Sequence, residues 1–363
     1  MRRPAVQRSQ LSENRFRGGR YRPAPLIHKG GTAMTVGRIL KAAGGLLLAV
    51  VILLALVLLT MRLGWWNPSY ESVKAAQATA PSTFEQVGTA NLHIRDEGPR
   101  GGPVVIMLHS SMTNLREWDG WTDALKDKYR VIRFDWPPYG LSTDSAPSSG
   151  MPGVVALLEK LVEKKGLTRF ALVGTSSGAT VSTLYAAKYP EKVTALALSA
   201  LPLKAPPPSD FSRVMWAMVW THENFVPNYY PRFYYRRALS ELYGRPERLT
   251  DATVDWYYQT NNLPGGFARV KEYYETNKKV VWAKGAGDDA AQVKAPILLQ
   301  WGDVDPVLPK YLAADAVKQF SGTKVDVIHY PDLSHYPMLE LPKETARDLR
   351  TWLDRTVPAG APR

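Results

Sequence analysis

Leu172-Val173-Gly174-Thr175-Ser176-Ser177-Gly178 decides how the rest of this 363-residue chain is read. Phe170-Ala171-Leu172-Val173 is a short apolar run with turn signals at both ends, the pattern of a buried strand. From Ala179 to Tyr189, small and apolar residues recur at helical spacing until Pro190 stops them. A strand that becomes a helix within five residues has no room for side chains at its corner, so glycine is required at 174 and 178. Ser176 then stands on the corner with its hydroxyl exposed above a helix N-terminus. A serine so placed can attack a carbonyl, and the helix end favours the anion that results. Taken alone, Gly-x-Ser-x-Gly is a weak signal, because most chance matches are ordinary loops. Its flanks and its partners carry the reading.

Outward from this turn the chain alternates. Residues 84–87 and 92–95 read as an antiparallel hairpin, and the continuous apolar run at 103–108 as a strand buried on both faces. Further strands are expected at 129–134, 170–173, 193–199, 297–301 and 325–329, with helices at 121–125, 154–164, 179–188, 309–320 and 343–353. Strands alternating with helices imply right-handed parallel crossovers, hence an α/β fold with a mostly parallel, eight-stranded sheet flanked by helices. The alternation breaks at Pro202. Residues 204–290 show no buried strand but many aromatics, among them Trp216, Trp220, Phe225, Phe233, Trp256, Tyr257 and Tyr273. This segment reads as a helical cap over the sheet's carboxyl edge. Most of its rings are expected to form its own core, and a few to line an apolar substrate pocket.

A serine hydroxyl needs a base, and histidine is the usual one because it titrates near neutrality. Of the six histidines, His28, His93, His222 and His329 are expected before the apolar segment, in the hairpin, in the cap and within a strand. His335 alone falls in a loop just past the last strand, where loops reach the sheet's carboxyl edge and the Ser176 turn. The base in turn needs an orienting carboxylate. Asp305, in Gly302-Asp303-Val304-Asp305-Pro306 after another strand, is the first choice and Asp303 the substitute.

The order serine, aspartate, histidine belongs to one particular fold, and residues 83–358 resemble the α/β-hydrolase family in its branch with a helical cap. Leu108-His109-Ser110-Ser111, with Trp118 beyond it, is similar to the family's His-Gly oxyanion loop. Asp135-Trp136-Pro137-Pro138-Tyr139-Gly140-Leu141-Ser142 resembles its D-x-x-G-x-G-x-S segment. Trp301-Gly302-Asp303-Val304-Asp305-Pro306, with Pro309, resembles its acid loop and favours Asp305. His335, Glu340 and Pro342 match its H-x-x-x-x-E-x-P ending. Ser110 and Pro138 depart from the pattern, each standing where the family usually has glycine. The resemblance implies two oxyanion donors, the backbone N–H groups of Ser111 and Ser177, and makes His109 a structural member of its loop rather than a second base.

The formal charge of +13 is unevenly placed: residues 1–41 hold ten Lys/Arg against the single Glu13, leaving only +4 for the rest. Nucleic-acid binding is therefore an unattractive reading of the basic composition. Residues 42–61 are uncharged and apolar on every face; twenty helical residues rise ~30 Å, the hydrocarbon thickness of a bilayer. Arg62, Trp65, Trp66 and Tyr70 suit the interface beyond it. A transmembrane signal anchor is expected there, between a basic, disordered 1–41 and a small-residue linker at 62–82. The hydrolase core is expected at 83–203 and 291–358. The basic flank predicts a cytoplasmic amino terminus and a translocated catalytic domain. Ala78-Thr79-Ala80 resembles a cleavage site but lies far past the apolar run, so retention is favoured over secretion. Met34 is a plausible alternative start. The chain has no cysteine, which removes disulfides and thiolate chemistry and fits a bacterial exported enzyme.

The expected protein is thus a membrane-anchored serine hydrolase acting on apolar carboxylic esters, with lactones or amides also open, and needing no metal or organic cofactor. Serine at 176 argues against the epoxide and carbon–halogen chemistry of relatives with an aspartate nucleophile. Two other readings stand beside it: a C–C bond hydrolase of vinylogous diketones using the same triad, and a catalytically dead, membrane-tethered scaffold.

Overall fold

The computed structural model describes residues 35–357. The basic first 33 residues and the Met34 start lie outside the described residues. The first element, α1 (Val36–Arg62), is 27 residues long with no buried residue. It begins before the uncharged run, so 36–41 is helical rather than disordered; Val36, Ile39 and Leu40 extend the apolar character past Arg38 and Lys41. It has the length and composition of a membrane span. The chain divides between Leu53 and Leu54, within α1, into two units, the second carrying everything that follows.

The expected linker holds a helix of its own, α2 (Tyr70–Gln77), capped by Ser69 Oγ accepting from Ser72 N at 3.2 Å. Its Val73 packs with Leu141 and Leu263, which explains why a segment read as a spacer is ordered. Strands β1 (Thr83–Val87) and β2 (Ala90–Glu97) then form the antiparallel hairpin, tighter than expected, with Val87 opposite Ala90. The chain continues through β3 (Val104–Leu108), a 3-10 turn at Leu115–Trp118, α3 (Asp119–Leu125), β4 (Arg130–Phe134), the two-residue β5 (Thr143–Asp144), α4 (Gly150–Lys164), β6 (Phe170–Thr175), α5 (Ser177–Lys188) and β7 (Val193–Ser199).

Only helices fill the stretch from β7 to the next strand: α6 (Arg213–Phe225), α7 (Arg232–Glu241), α8 (Asp251–Asn261), α9 (Gly266–Asn277) and α10 (Gly287–Gln292), with short 3-10 and π turns. The α/β pattern resumes with β8 (Ile297–Gly302), α11 (Tyr311–Gln319), β9 (Val325–Tyr330), α12 (Pro337–Glu340) and α13 (Pro342–Thr356).

The sheet order is β1-β2-β4-β3-β6-β7-β8-β9, with β5 added to β2; β3, β4 and β6 to β9 run parallel. Alternate residues of each inner strand enter different cores: Ile106 and Leu108 pack on one face, Val105 and Met107 on the other. That two-sided burial is why these strands read as unbroken apolar runs. The chain leaves β3 for β4 on one side and later takes β6 on the other, so a topological switch point falls at the carboxyl ends of β3 and β6. Leu108 lies in register with Gly174. The loops at 109–111 and 175–177 therefore leave the sheet side by side.

Candidate active site

Ser176 has φ 51° and ψ −124°, a backbone conformation L-residues rarely adopt. The turn is that tight because of its glycines. A Cβ on Gly174 would come within 2.5 Å of the Gly178 carbonyl oxygen, and one on Gly178 would overlap the carbonyl oxygens of Leu108 and His109. Gly178→Ala is accordingly expected to destabilise the fold by roughly 3 kcal/mol or more, as overpacking against fixed backbone does. Chemical denaturation checks it; a loss under 1 kcal/mol would mean that the corner has slack. The Ser176 N–H donates to Ser199 O at 3.0 Å, tying the corner to the end of β7.

Across the switch point, Ser111 Oγ donates to Ser177 Oγ at 2.8 Å, which joins the two loops directly. The Ser110 N–H is turned away, donating to Glu117 Oε2 at 2.8 Å, while Ser110 Oγ donates to Glu117 Oε1 at 3.0 Å and Thr113 Oγ1 to Oε2 at 3.1 Å. Among the described residues, the N–H groups of Ser111 and Ser177 have no protein acceptor. Serine at 110 is thus accommodated by a carboxylate that the sequence reading passed over. Glu117 sits in a Leu-Arg-Glu-Trp turn that looks solvated, and the one signal pointing to it was the serine seven residues earlier. His109 is buried, with Nδ1 at 2.7 Å from Ser110 O and Nε2 accepting from Trp136 N at 3.2 Å. Burial pushes its imidazole down to about 4, so it stays neutral and braces the loop.

Burial likewise pushes the Glu117 carboxyl up to about 7, outweighing the donors around it. A carboxyl whose folded pKa lies above its unfolded value contributes stability below about 4.5 that is lost as pH rises through about 7. The isosteric, uncharged Glu117→Gln should therefore gain on the wild type between pH 5 and 9, by up to about 3 kcal/mol. Melting curves of both proteins across that range check this; parallel curves would contradict it.

At the far side of the site, Asp305 Oδ1 accepts from Val307 N at 2.7 Å and Leu308 N at 3.0 Å, fixing the carboxylate in its turn. Its Oδ2 meets His335 Nδ1 at 2.7 Å, and both side chains are nearly inaccessible. Burial alone would lower the His335 imidazole, but the Asp305 carboxylate, with a smaller contribution from Glu117, holds it above its ordinary value. Asp303 is committed elsewhere, to His329 Nδ1 at 2.6 Å and Lys310 Nζ at 3.8 Å. Glu340 anchors the histidine loop by accepting from Ser334 N at 2.6 Å and Gly244 N at 2.9 Å, linking it to the end of α7. The structure thus joins Asp305 to His335 and Ser111 to Ser177. Among the described residues, the hydrogen bond of the His335 ring is the one to Asp305, with none to Ser176 Oγ.

The same three residue types meet a second time. His93 Nε2 lies 2.8 Å from Ser82 Oγ, and its Nδ1 2.8 Å from Asp135 Oδ2. Ser82 also accepts from Arg95 Nε at 2.9 Å, and Asp135 accepts from the backbone of Leu115 and Leu141. This is a structural tie between the hairpin and the β4 loop: its serine faces a guanidinium and stands on no helix N-terminus.

A family model described as the alpha/beta hydrolase fold matches residues 103–342. The chain belongs to the α/β-hydrolase family. Among its curated relatives, this hydrolase is 24% identical over 263 residues to a pimeloyl-[acyl-carrier protein] methyl ester esterase of Nitrosomonas europaea, covering 70% of this chain and 96% of that one. It is 24% identical over 299 residues to a 2-hydroxy-6-oxononadienedioate/2-hydroxy-6-oxononatrienedioate hydrolase of Escherichia coli, covering 75% and 94%. The crystal structure of a bacterial membrane phospholipase A superposes with a TM-score of 0.65 at 21% identity, over 89% of this hydrolase and all of that chain. At that identity the likeness speaks for the fold.

Proposed function

We propose that this hydrolase is a membrane-anchored serine esterase that works through an acyl-enzyme. Ser176 attacks the substrate carbonyl, His335 takes the proton and returns it to the leaving alcohol, and Asp305 holds the imidazole tautomer and stabilises its cation. The N–H groups of Ser111 and Ser177 receive the oxyanion, each such donor contributing ~2.7–4 kcal/mol to the transition state. Water then releases the acid. The observation that carries this reading is a strained, glycine-flanked serine at the same sheet edge as a buried Asp305–His335 pair. The anchor is α1, with the amino terminus cytoplasmic and the catalytic unit on the outer side, as the basic flank suggests.

The test is a panel of p-nitrophenyl esters of rising chain length, run with a fluorophosphonate probe. Ester turnover with labelling supports the assignment; a folded protein that neither turns over esters nor takes the probe points to a scaffold. One second reading is favoured by a specific observation, since the curated relatives include a dienedioate hydrolase as well as an esterase. Faster cleavage of a ring-opened dienoate than of any ester would select that C–C chemistry.

A further inference from the structure

The rings of the segment between β7 and β8 do not all turn inward. On α6, Trp216, Trp220 and Phe225 are 46%, 60% and 46% exposed, and Phe233 at the start of α7 is 67% exposed. Trp65, three residues past the end of α1, is 73% exposed. About half or more of each residue's surface is open, where a soluble enzyme would carry polar side chains.

Their position relative to the end of α1 gives the reason. Arg62 is the first charge after the uncharged 42–61 run, so it marks the depth at which an apolar span leaves hydrocarbon. Its Nη1 donates to Asn224 O at 3.4 Å, and its carbonyl accepts from Asn228 Nδ2 at 2.8 Å. The Trp66 ring lies 6.1 Å from that of Tyr229. The carboxyl end of α6 is thus held at the level of Arg62. Exposed tryptophans on a helix at that level match the side chains that settle at the junction of headgroups and acyl chains.

We propose that α6 lies in the surface of the membrane that α1 spans, with Trp216 and Trp220 in the acyl–headgroup boundary. This rests on the membrane-anchor reading above. It also names the substrate class: an enzyme whose α6 rests in lipid meets amphiphilic acyl esters at the bilayer surface.

The absence of native cysteine makes the test clean. An environment-sensitive fluorophore is placed singly at Leu48→Cys in α1, Ala217→Cys on the exposed face of α6, and Lys318→Cys on α11. The full chain is reconstituted into phosphatidylcholine–phosphatidylglycerol vesicles containing nitroxide-labelled lipid. Quenching at 48 and 217 but not at 318 is expected. Quenching at 48 without quenching at 217 overturns the proposal and leaves the anchor standing; none at 48 removes the anchor reading and the proposal with it. Disulfide cross-linking between 217 positions without lipid quenching would put a second copy on this face and overturn it too. In activity, the Trp216→Ser/Trp220→Ser double variant should lose at least tenfold on a long-chain ester held in vesicles and stay within twofold on a soluble butyrate ester. Equal losses on both substrates would contradict the lipid-surface role.

Discussion

Ser176→Ala should lower kcat by about a millionfold, as removal of the nucleophile from a serine-histidine pair does, leaving only what binding and the oxyanion donors supply. The fold should survive it. Residue 176 holds its left-handed backbone with or without the hydroxyl, so the melting temperature is expected to change little. Ser176→Gly separates the two roles further. Glycine adopts φ 51° without strain, and releasing strain of roughly 1–3 kcal/mol should make this inactive variant as stable as the wild type or more so. Burst kinetics on an activated ester, with thermal melts, measure both effects. Retention of more than a tenth of the activity in Ser176→Ala would remove the nucleophile assignment, and Ser82 would then be the serine to examine.

Asp305→Asn should cost about ten-thousandfold in kcat, because the amide no longer holds the imidazole in the tautomer that accepts a proton. Its pH dependence carries more information than its size. His335 must be neutral to act as base, and its pKa is raised, so wild-type activity should fall as pH drops through a limb lying above 6.5. Asp305 is the main group holding it up. Without that carboxylate, burial dominates and the limb should move to lower pH. A kcat/KM profile from pH 4 to 9 for both proteins checks this. An unmoved limb would show that another group titrates; an Asp303→Asn variant that matched the loss would transfer the role to the pair now made with His329.

The residues of the site were legible to the extent that strand ends are legible. Each of Ser176, Asp305 and His335 follows a short apolar strand by a few residues, and in a parallel sheet that places all three at one edge. Spacing alone leaves the choice of acid open, because Asp303 and Asp305 sit in the same loop; in the structure Asp305 is bonded to His335 and Asp303 to His329. Glu117 was not legible. A glutamate beside an arginine in a helical turn ordinarily faces water, and only the three-dimensional return of Ser110 onto it buries the pair. The order in α2 was hidden for a related reason: a run of small residues looks like a spacer until Val73 finds Leu141 and Leu263, distant in sequence. Tyr257 and Tyr273 are buried as expected, whereas Trp216 and Trp220 face outward, an option that composition cannot reveal because it depends on which helical face the neighbours leave open.

The serine-esterase assignment meets its most direct test in a structure of the protein inhibited by an alkyl phosphonate. It predicts a covalent bond from phosphorus to Ser176 Oγ, the phosphoryl oxygen within about 3 Å of the Ser111 and Ser177 N–H groups, and His335 Nε2 within hydrogen-bond reach of the Ser176 oxygen. A phosphonate on any other side chain, or an imidazole of His335 that stays out of reach of the adduct, would contradict it.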